Sequence, residues 1–407
     1  MNDIAEQYIK LVLKLGLYDA DYVDAYYGPE EWKPKGNGGA KKDAFPAAEF
    51  KTEVGRLKSL LSQYSPGERE SLRRNSMSKQ LVAVEAKIDM LAGKKYTFDE
   101  ESSLLYDAVA PTYSEAHFRG LLTELGSLVP GSGEVSARLE RYKQNFVISK
   151  DKLDAVFKAA IVEGRRRTLE HIPLPKNERF TVEFVNNKPW SGYNWYKGDS
   201  FSVIQVNTDL PIFIDRAVDL ACHEGYPGHH VYNLLMEKNL FRQRGWMEFS
   251  VYPLFSPQSL IAEGSANFGI EVALPGKERV QFESKTLFPL AGFDPDRADE
   301  YYTIQEVKGK LDNAGNEAAR NYLDGRWKER EAAEWLVTYA LYSPERAAQR
   351  VKFIEKYRSY VINYNLGQEM VRGYVERRGG TADQSARRWK VFEELLSEPH
   401  TPGDLLA

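Results

Sequence analysis

Apolar side chains recur at helical spacing from the start of the chain. Ile4, Tyr8, Ile9, Leu11, Val12 and Leu15 form one stripe over residues 3–17, and the stripe stops at Gly16. From about 47 to 170 the texture is long and helical, rich in Ala, Leu, Glu, Lys and Arg. It breaks near Pro66, near Pro111 and between Pro130 and Gly133. The period then changes. Residues 179–185 and 201–207 alternate β-branched and aromatic positions, which predicts a small strand region around the turn-rich segment between them. Helical texture resumes from about 211, punctuated at Pro253, Pro257, Pro275, Pro289, Pro295 and Pro344. The pattern therefore predicts a mainly α protein with a small β-sheet beside the helix that follows residue 211. No linker interrupts it, so the expectation is one domain over 1–407. Its helical N-terminal part spans 1–175, a β region 176–210, and a second helical part 211–407. Residues 21–48, with the Gly-rich run after Pro34, predict an exposed loop. That run lacks the spacing of a phosphate-binding loop.

Composition narrows the class. Hydrophobic residues make up 42% of the 407, charged residues 28%, and the net charge is −4. These are values of a soluble folded chain without the basic face that nucleic acid requires. No apolar run is long enough to span a membrane, and the first residues are neither basic nor followed by a signal-like stretch. Cys222 is the single cysteine, so no intrachain disulfide forms. The expectation is a cytoplasmic protein.

Chemistry concentrates in residues 223–230, His-Glu-Gly-Tyr-Pro-Gly-His-His, which hold three of the six histidines. Imidazoles with an adjacent carboxylate can bind zinc and act on a water beside it. The usual arrangement on a helix is His at i and i+4 with Glu at i+1. Here position i+4 is Pro227. On an unbroken helix i+6 lies some 120° away from His223, and i+7 is roughly 10 Å along the axis. Pro227 lacks an N–H and crowds the carbonyl of His223, while Gly228 tolerates an irregular backbone. A kink or bulge there could absorb two residues and bring His229, or alternatively His230, back to the face of His223. Glu263, delivered from the apolar run before it, is the candidate third ligand. A lone buried carboxylate is costly unless a cation offsets it. Asn267, one turn on, is placed to orient a ligand histidine, and Glu271, two turns on, could do the same. Cys222 reads as a buried structural thiol. His117, His171 and His400 have no metal-like neighbours, and no serine-nucleophile elbow is present.

Residues 223–230 resemble the HExxPGHH signature of a widespread bacterial family of unknown function, grouped with gluzincin-type zinc metallopeptidases. Segments beginning at Tyr22, Pro189, Val206 and Tyr364 are also similar to that family. Its second motif resembles EGWALYxE. Here it reads Glu-Gly-Ser-Ala-Asn-Phe-Gly-Ile-Glu over 263–271, with Ser265 in place of Trp. The stretched motif is also similar to that of dipeptidyl-peptidase III, an analogy that favours His229. The resemblance implies a large helical metallopeptidase body holding one zinc ion. It also implies a short sheet whose edge takes an extended peptide, with the strand at 201–207 placed for that.

The expected activity is zinc-dependent hydrolysis of short peptides. His223, His229 or His230, and Glu263 hold the metal, and Glu224 is the general base. Tyr364, which matches a family position, is the candidate to assist the oxyanion. Arg358 and Arg372 are candidates for a substrate C-terminal carboxylate. The alternatives are a metal-dependent hydrolase of small amides or esters, and an inactive peptide-binding protein of the same fold. Oligomeric state is not indicated.

Overall fold

The structure, a computed structural model, describes residues 1–35, 45–65, 67 and 70–407. The Gly-rich run at 36–44 and Pro66 lie outside the described residues.

Among the described residues, seven α-helices precede the three-stranded sheet. They are α1 (Asn2–Leu15), α2 (Ala47–Gln63), α3 (Ser71–Leu91), α4 (Phe98–Tyr106), α5 (Glu115–Leu128), α6 (Val135–Lys143) and α7 (Leu153–Leu169). The stripe read in the first fifteen residues is the buried face of α1: Ile4, Tyr8, Ile9, Leu11, Val12 and Leu15 are all in the core. α4 starts on a reciprocal cap, in which the Thr97 hydroxyl accepts from the Glu100 N–H and the Glu100 carboxylate from the Thr97 N–H. After the sheet come α8 (Asp215–Leu220), α9 (His229–Met236), α10 (Pro257–Ala273), α11 (Gly276–Phe282), α12 (Phe288–Ala291), α13 (Ala298–Gly309), α14 (Ala314–Leu323), α15 (Glu329–Tyr339), α16 (Pro344–Tyr357), α17 (Ile362–Arg377) and α18 (Ser385–Leu396). The mainly helical architecture with a small sheet is as the pattern predicts. Buried apolar side chains from Ile4 to Leu405 form one contiguous cluster. Among the described residues, no helix is long and apolar enough to cross a membrane.

Two small sheets flank the motif. β2 (Arg179–Val185), β4 (Phe201–Asn207) and β3 (Gly192–Tyr196) lie in that order, with β4 parallel to β2 and antiparallel to β3. The strand at 201–207 is therefore central. This corrects the expectation that it forms the peptide-receiving edge, because both its hydrogen-bonding sides are used. The edge that faces the motif is β3. The second sheet corrects the loop reading of residues 21–48. β1 (Val23–Tyr26) pairs antiparallel with β5 (Val251–Pro253), a partner more than two hundred residues away that local periodicity cannot reveal.

α10 is buried on nearly every side, which is why its sequence is apolar all round rather than amphipathic. It crosses α17 at Gly264 and Gly367 in backbone-to-backbone contact. A Cβ on Gly264 would come within 2.3 Å of the Gly367 carbonyl carbon, and one on Gly367 within 2.6 Å of the Leu260 oxygen. Backbone atoms cannot rotate aside, so only glycine permits this approach. Gly264→Ala is expected to destabilise the fold by roughly 2–3 kcal/mol, as overpacking of a rigid contact does. Chemical denaturation checks this through the midpoint, and an unchanged midpoint would contradict the close crossing.

Candidate metal centre

The motif is not one continuous helix. α8 runs into a π-helical turn over Ala221–Gly225, in which the Tyr226 N–H donates to the Ala221 carbonyl at 3.0 Å. The Gly228 N–H then reaches back to the Cys222 carbonyl at 2.9 Å. Pro227 stands four residues after His223 and has no N–H to give that carbonyl, and the peptide before it is cis. Gly228 lies against the same carbonyl so closely that a Cβ would sit 1.9 Å from the His223 oxygen. A new helix, α9, starts at His229. The break absorbs the two extra residues, and the His223 and His229 rings meet edge to face with centroids 4.7 Å apart.

Three donor atoms converge there. The Nε2 atoms of His223 and His229 are 3.1 Å apart, and Glu263 Oε2 lies 3.2 Å and 3.5 Å from them. Hydrogen bonding fixes the His223 tautomer. The Asn267 amide donates Nδ2–H to the Tyr364 carbonyl at 2.9 Å, which turns its Oδ1 toward His223 Nδ1 at 2.8 Å. Nδ1 must carry the proton, so His223 Nε2 presents a lone pair to the triangle. Glu263 Oε1 accepts from the Tyr360 hydroxyl at 2.7 Å, whereas its buried Oε2 accepts no hydrogen bond. The bare His223 nitrogen and the orphaned Glu263 oxygen, 3.2 Å apart, repel one another unless a proton or a metal cation lies among the three donors. Zinc bonds of roughly 2.0–2.2 Å give tetrahedral edges of about 3.3–3.5 Å, so the donor set fits such an ion in both chemistry and spacing. Burial pushes the Glu263 carboxyl up, but the two imidazoles outweigh it and hold it well below the usual carboxylate range.

Glu224 offers an oxygen within 4.8 Å of the donor nitrogens of His223 and His229. Glu263 Oε2 lies within 3.5 Å of both nitrogens and is left without a hydrogen-bond partner among the described residues. Burial pushes the Glu224 carboxyl up to about 7, opposed by His223 and reinforced by Glu263 and Asp24. β3 closes over it. The Asn194 side chain donates to the Glu224 carbonyl at 2.7 Å, and a Cβ on Gly192 would meet Glu224 Oε1 at 2.9 Å.

His230, left open as the second ligand, is corrected by its surroundings. Its side chain is fully buried and turned away from the donor triangle, with Nδ1 2.8 Å from the Ser202 hydroxyl and Nε2 3.3 Å from Glu178. Glu178 also accepts from Tyr226 at 2.6 Å and Arg165 at 2.5 Å. Burial raises its carboxyl, but His230, Tyr226 and Arg165 outweigh that and bring it down to about 2. Consecutive residues at the start of a helix face different ways, so only one of the pair can reach His223.

Tyr364 lies beside the centre. Its phenol is pushed well above its ordinary value by burial and by the Glu263 charge, and its hydroxyl bonds no described protein group. Arg358 and Arg372 do not face the site free. Arg358 donates to Glu101 at 2.6 Å, and Arg372 pairs with Glu271. Glu271 thereby also loses the orienting role held open for it. Sequence reasoning missed Tyr360 and Asp24. Tyr360 precedes Tyr364 by one helical turn, a spacing that could have found it. Asp24 accepts from Tyr193 of β3, and burial raises its carboxyl to about 6 against the opposing effects of that bond and His229. Its only sequence signal is a single charge among the aromatics of residues 22–27. Cys222 is buried and its thiol pushed up to about 12 by burial, as befits a structural residue.

The fold has solved counterparts. The chain is similar to a candidate lipoprotein from Colwellia psychrerythraea, at 13% identity and a TM-score of 0.55 over 90% of this chain and 71% of that one. It is also similar to metallocarboxypeptidase 1 of Trypanosoma cruzi, at 12% identity and a TM-score of 0.50 over 100% of this chain and 93% of that one. An M32 carboxypeptidase from Deinococcus radiodurans matches at 11% identity and a TM-score of 0.48 over 100% and 93%. The chain resembles the first two of these structures in its helical fold. At these identities the likeness concerns architecture alone. No protein-family model matches the sequence, and no curated protein matches it, so the HExxPGHH resemblance rests on its motif residues.

His229→Ala is expected to lower zinc affinity at least 100-fold. His230→Ala is expected to cost about 2–3 kcal/mol of stability, because it strands the buried Glu178 and Ser202 partners. Metal titration and denaturation separate the two, and equal loss of metal in both variants would contradict the assignment. Gly192→Ala is expected to retain metal but lower turnover at least tenfold by displacing the Glu224 carboxylate.

Proposed function

We propose that the protein is a metal-dependent peptidase, with one zinc ion held by His223, His229 and Glu263 and with Glu224 as general base. The observation that carries this reading is the triangle of Nε2, Nε2 and Oε2 atoms at 3.1–3.5 Å, with an orphaned carboxylate oxygen and a tautomer that bares a lone pair. When bound, zinc supplies Lewis acidity for the scissile carbonyl and acidifies a water for attack.

The chain's own residues supply the rest. Glu224, buried and poised near neutrality, takes a proton from the attacking water and returns it to the leaving amine. Asn267 keeps His223 in the tautomer that leaves Nε2 free. Tyr360 is committed to Glu263, so the Tyr364 phenol, protonated and without a protein partner, is the donor available to the oxyanion. β3, which presents Gly192 and Asn194 to Glu224, has one side without a strand partner among the described residues, and that favours an extended peptide over a small amide. Such a strand offers main-chain N–H and C=O groups at regular intervals.

Zinc-loaded protein is expected to bind one metal ion and to hydrolyse short peptides. Glu224→Gln is expected to keep the metal while its kcat falls by roughly 10²–10⁴. Elemental analysis and peptide hydrolysis assays check both halves. The reading is sunk if the wild type takes up no stoichiometric metal, or if Glu224→Gln turns over at the wild-type rate.

A further inference from the structure

The aim of the Glu263 carboxylate has a cause outside α10. Its Oε1 is occupied by the Tyr360 hydroxyl at 2.7 Å, which leaves Oε2 for the two imidazoles. Tyr360 stands on a 3₁₀ turn over Arg358–Val361, between α16 and α17. That turn is entered through an unusual backbone. Arg358 has φ 54° and ψ −125°, a region open to glycine and avoided by residues with a Cβ. Glycine would serve the turn better if the backbone were all that mattered. A strained residue of this kind persists where its surroundings hold it in place.

Glu101 of α4 does the holding. Its carboxylate is fully buried and accepts three bonds from two consecutive residues. Arg358 donates Nε–H to Oε2 at 2.6 Å, and Ser359 donates its backbone N–H at 3.0 Å and its hydroxyl at 2.7 Å to Oε1. A buried anion with three donors this close leaves the turn little room to move. The next residue in the chain is Tyr360. Further along α4, Tyr106 meets the Tyr360 ring edge on, with centroids 5.9 Å apart. One helix of the N-terminal part therefore grips both the turn that leads into Tyr360 and the ring itself.

We infer that Glu101 is a positioning residue of the metal centre, acting through the Arg358–Ser359 turn and the Tyr360 hydroxyl to keep Glu263 Oε2 turned toward His223 and His229. Groups that orient a ligand set metal affinity by tenfold or more in general. The N-terminal helical part thus contributes to the centre through a residue that supplies no donor atom to the triangle. The effect on the ion rests on the zinc reading, whereas the placement of Tyr360 by Glu101 stands without it. A staple that only joined α4 to the turn would add stability and be indifferent to the Tyr360 hydroxyl. A positioning residue loses its effect on the metal once that hydroxyl is gone.

The full chain is titrated with zinc against a competing chelator as wild type, Glu101→Gln, Tyr360→Phe and the double variant. Each single variant is expected to raise the zinc Kd about tenfold. The double variant is expected to raise it no further, because both changes act through one hydroxyl. Additive losses in the double variant, about a hundredfold, or a wild-type Kd in Glu101→Gln, overturn the inference and leave the peptidase reading standing. Should Glu101→Gln fail to fold, Ser359→Ala removes one of the three bonds and meets the same test. A raised Kd that vanishes in the Tyr360→Phe background supports the inference, and an unchanged Kd overturns it. NMR of the metal-free protein with ring-labelled tyrosine gives a readout without the ion. The Tyr360 line, assigned by its loss in Tyr360→Phe, is expected to shift in the same direction in Glu101→Gln and in Glu263→Gln. A line that Glu101→Gln leaves in place overturns the inference whether or not zinc binds. A shifted line in a protein that takes up no zinc keeps the placement of Tyr360 by Glu101 and sinks the peptidase reading.

Discussion

The approach of α10 and α17 at Gly264 and Gly367 is the constraint on which the centre depends. Their backbones touch because neither residue has a Cβ. One helix carries Glu263 and Asn267. The other carries Tyr364, and the turn leading into it carries Tyr360. With side chains at the crossing, the helices would stand further apart. The Tyr360–Glu263 and Asn267–Tyr364 bonds, at 2.7 Å and 2.9 Å, would then open. Those bonds orient the carboxylate and fix the amide that sets the His223 tautomer. A contact between two glycines therefore decides which nitrogen of a histidine in another element bears a proton.

A second constraint acts within the motif itself. Pro227 denies the His223 carbonyl its helical partner, and Gly228 fits flush against that carbonyl. The chain leaves the helix and re-enters it, which frees His229 from the angular schedule of a continuous helix. The re-entry is anchored from behind by His230, which is held between Ser202 of β4 and Glu178 at the start of β2. Adjacent histidines thus divide the work: one faces the donor triangle, and the other ties the helix start to the sheet. Ser202, His230 and Glu178 hydrogen-bond in series, but all three are buried, so the arrangement is structural.

The electrostatics follow from this packing. Glu224, Glu263 and Asp24 gather around two imidazoles in a largely buried cluster, an accumulation of carboxylates that favours a bound cation. Tyr193, Tyr360 and Tyr364 stand near the cluster with phenols that burial keeps protonated, so they act as donors rather than added anions. The likeness to the Trypanosoma cruzi structure is one of helical architecture.

The sequence by itself determined the elements whose cause is local. Apolar period marked the helices, β-branched alternation marked β2 and β4, and the mismatch of Pro227 with the usual ligand spacing announced a broken helix. Glu263 and Asn267 stood out as a carboxylate and an amide one turn apart, following an apolar run, where burial asks for a polar purpose. What the tertiary structure decided has non-local causes. The pairing of β1 with β5, and hence the position of Asp24, joins residues far apart in the chain. Whether β4 lies at the edge or the centre depends on the order in which three strands assemble. The choice of His229 over His230 turns on which face of α9 meets Glu178. The neutralising of Arg358 and Arg372 depends on where Glu101 and Glu271 fall. Spacing along a chain sets which faces a helix presents. Only packing sets what each face meets.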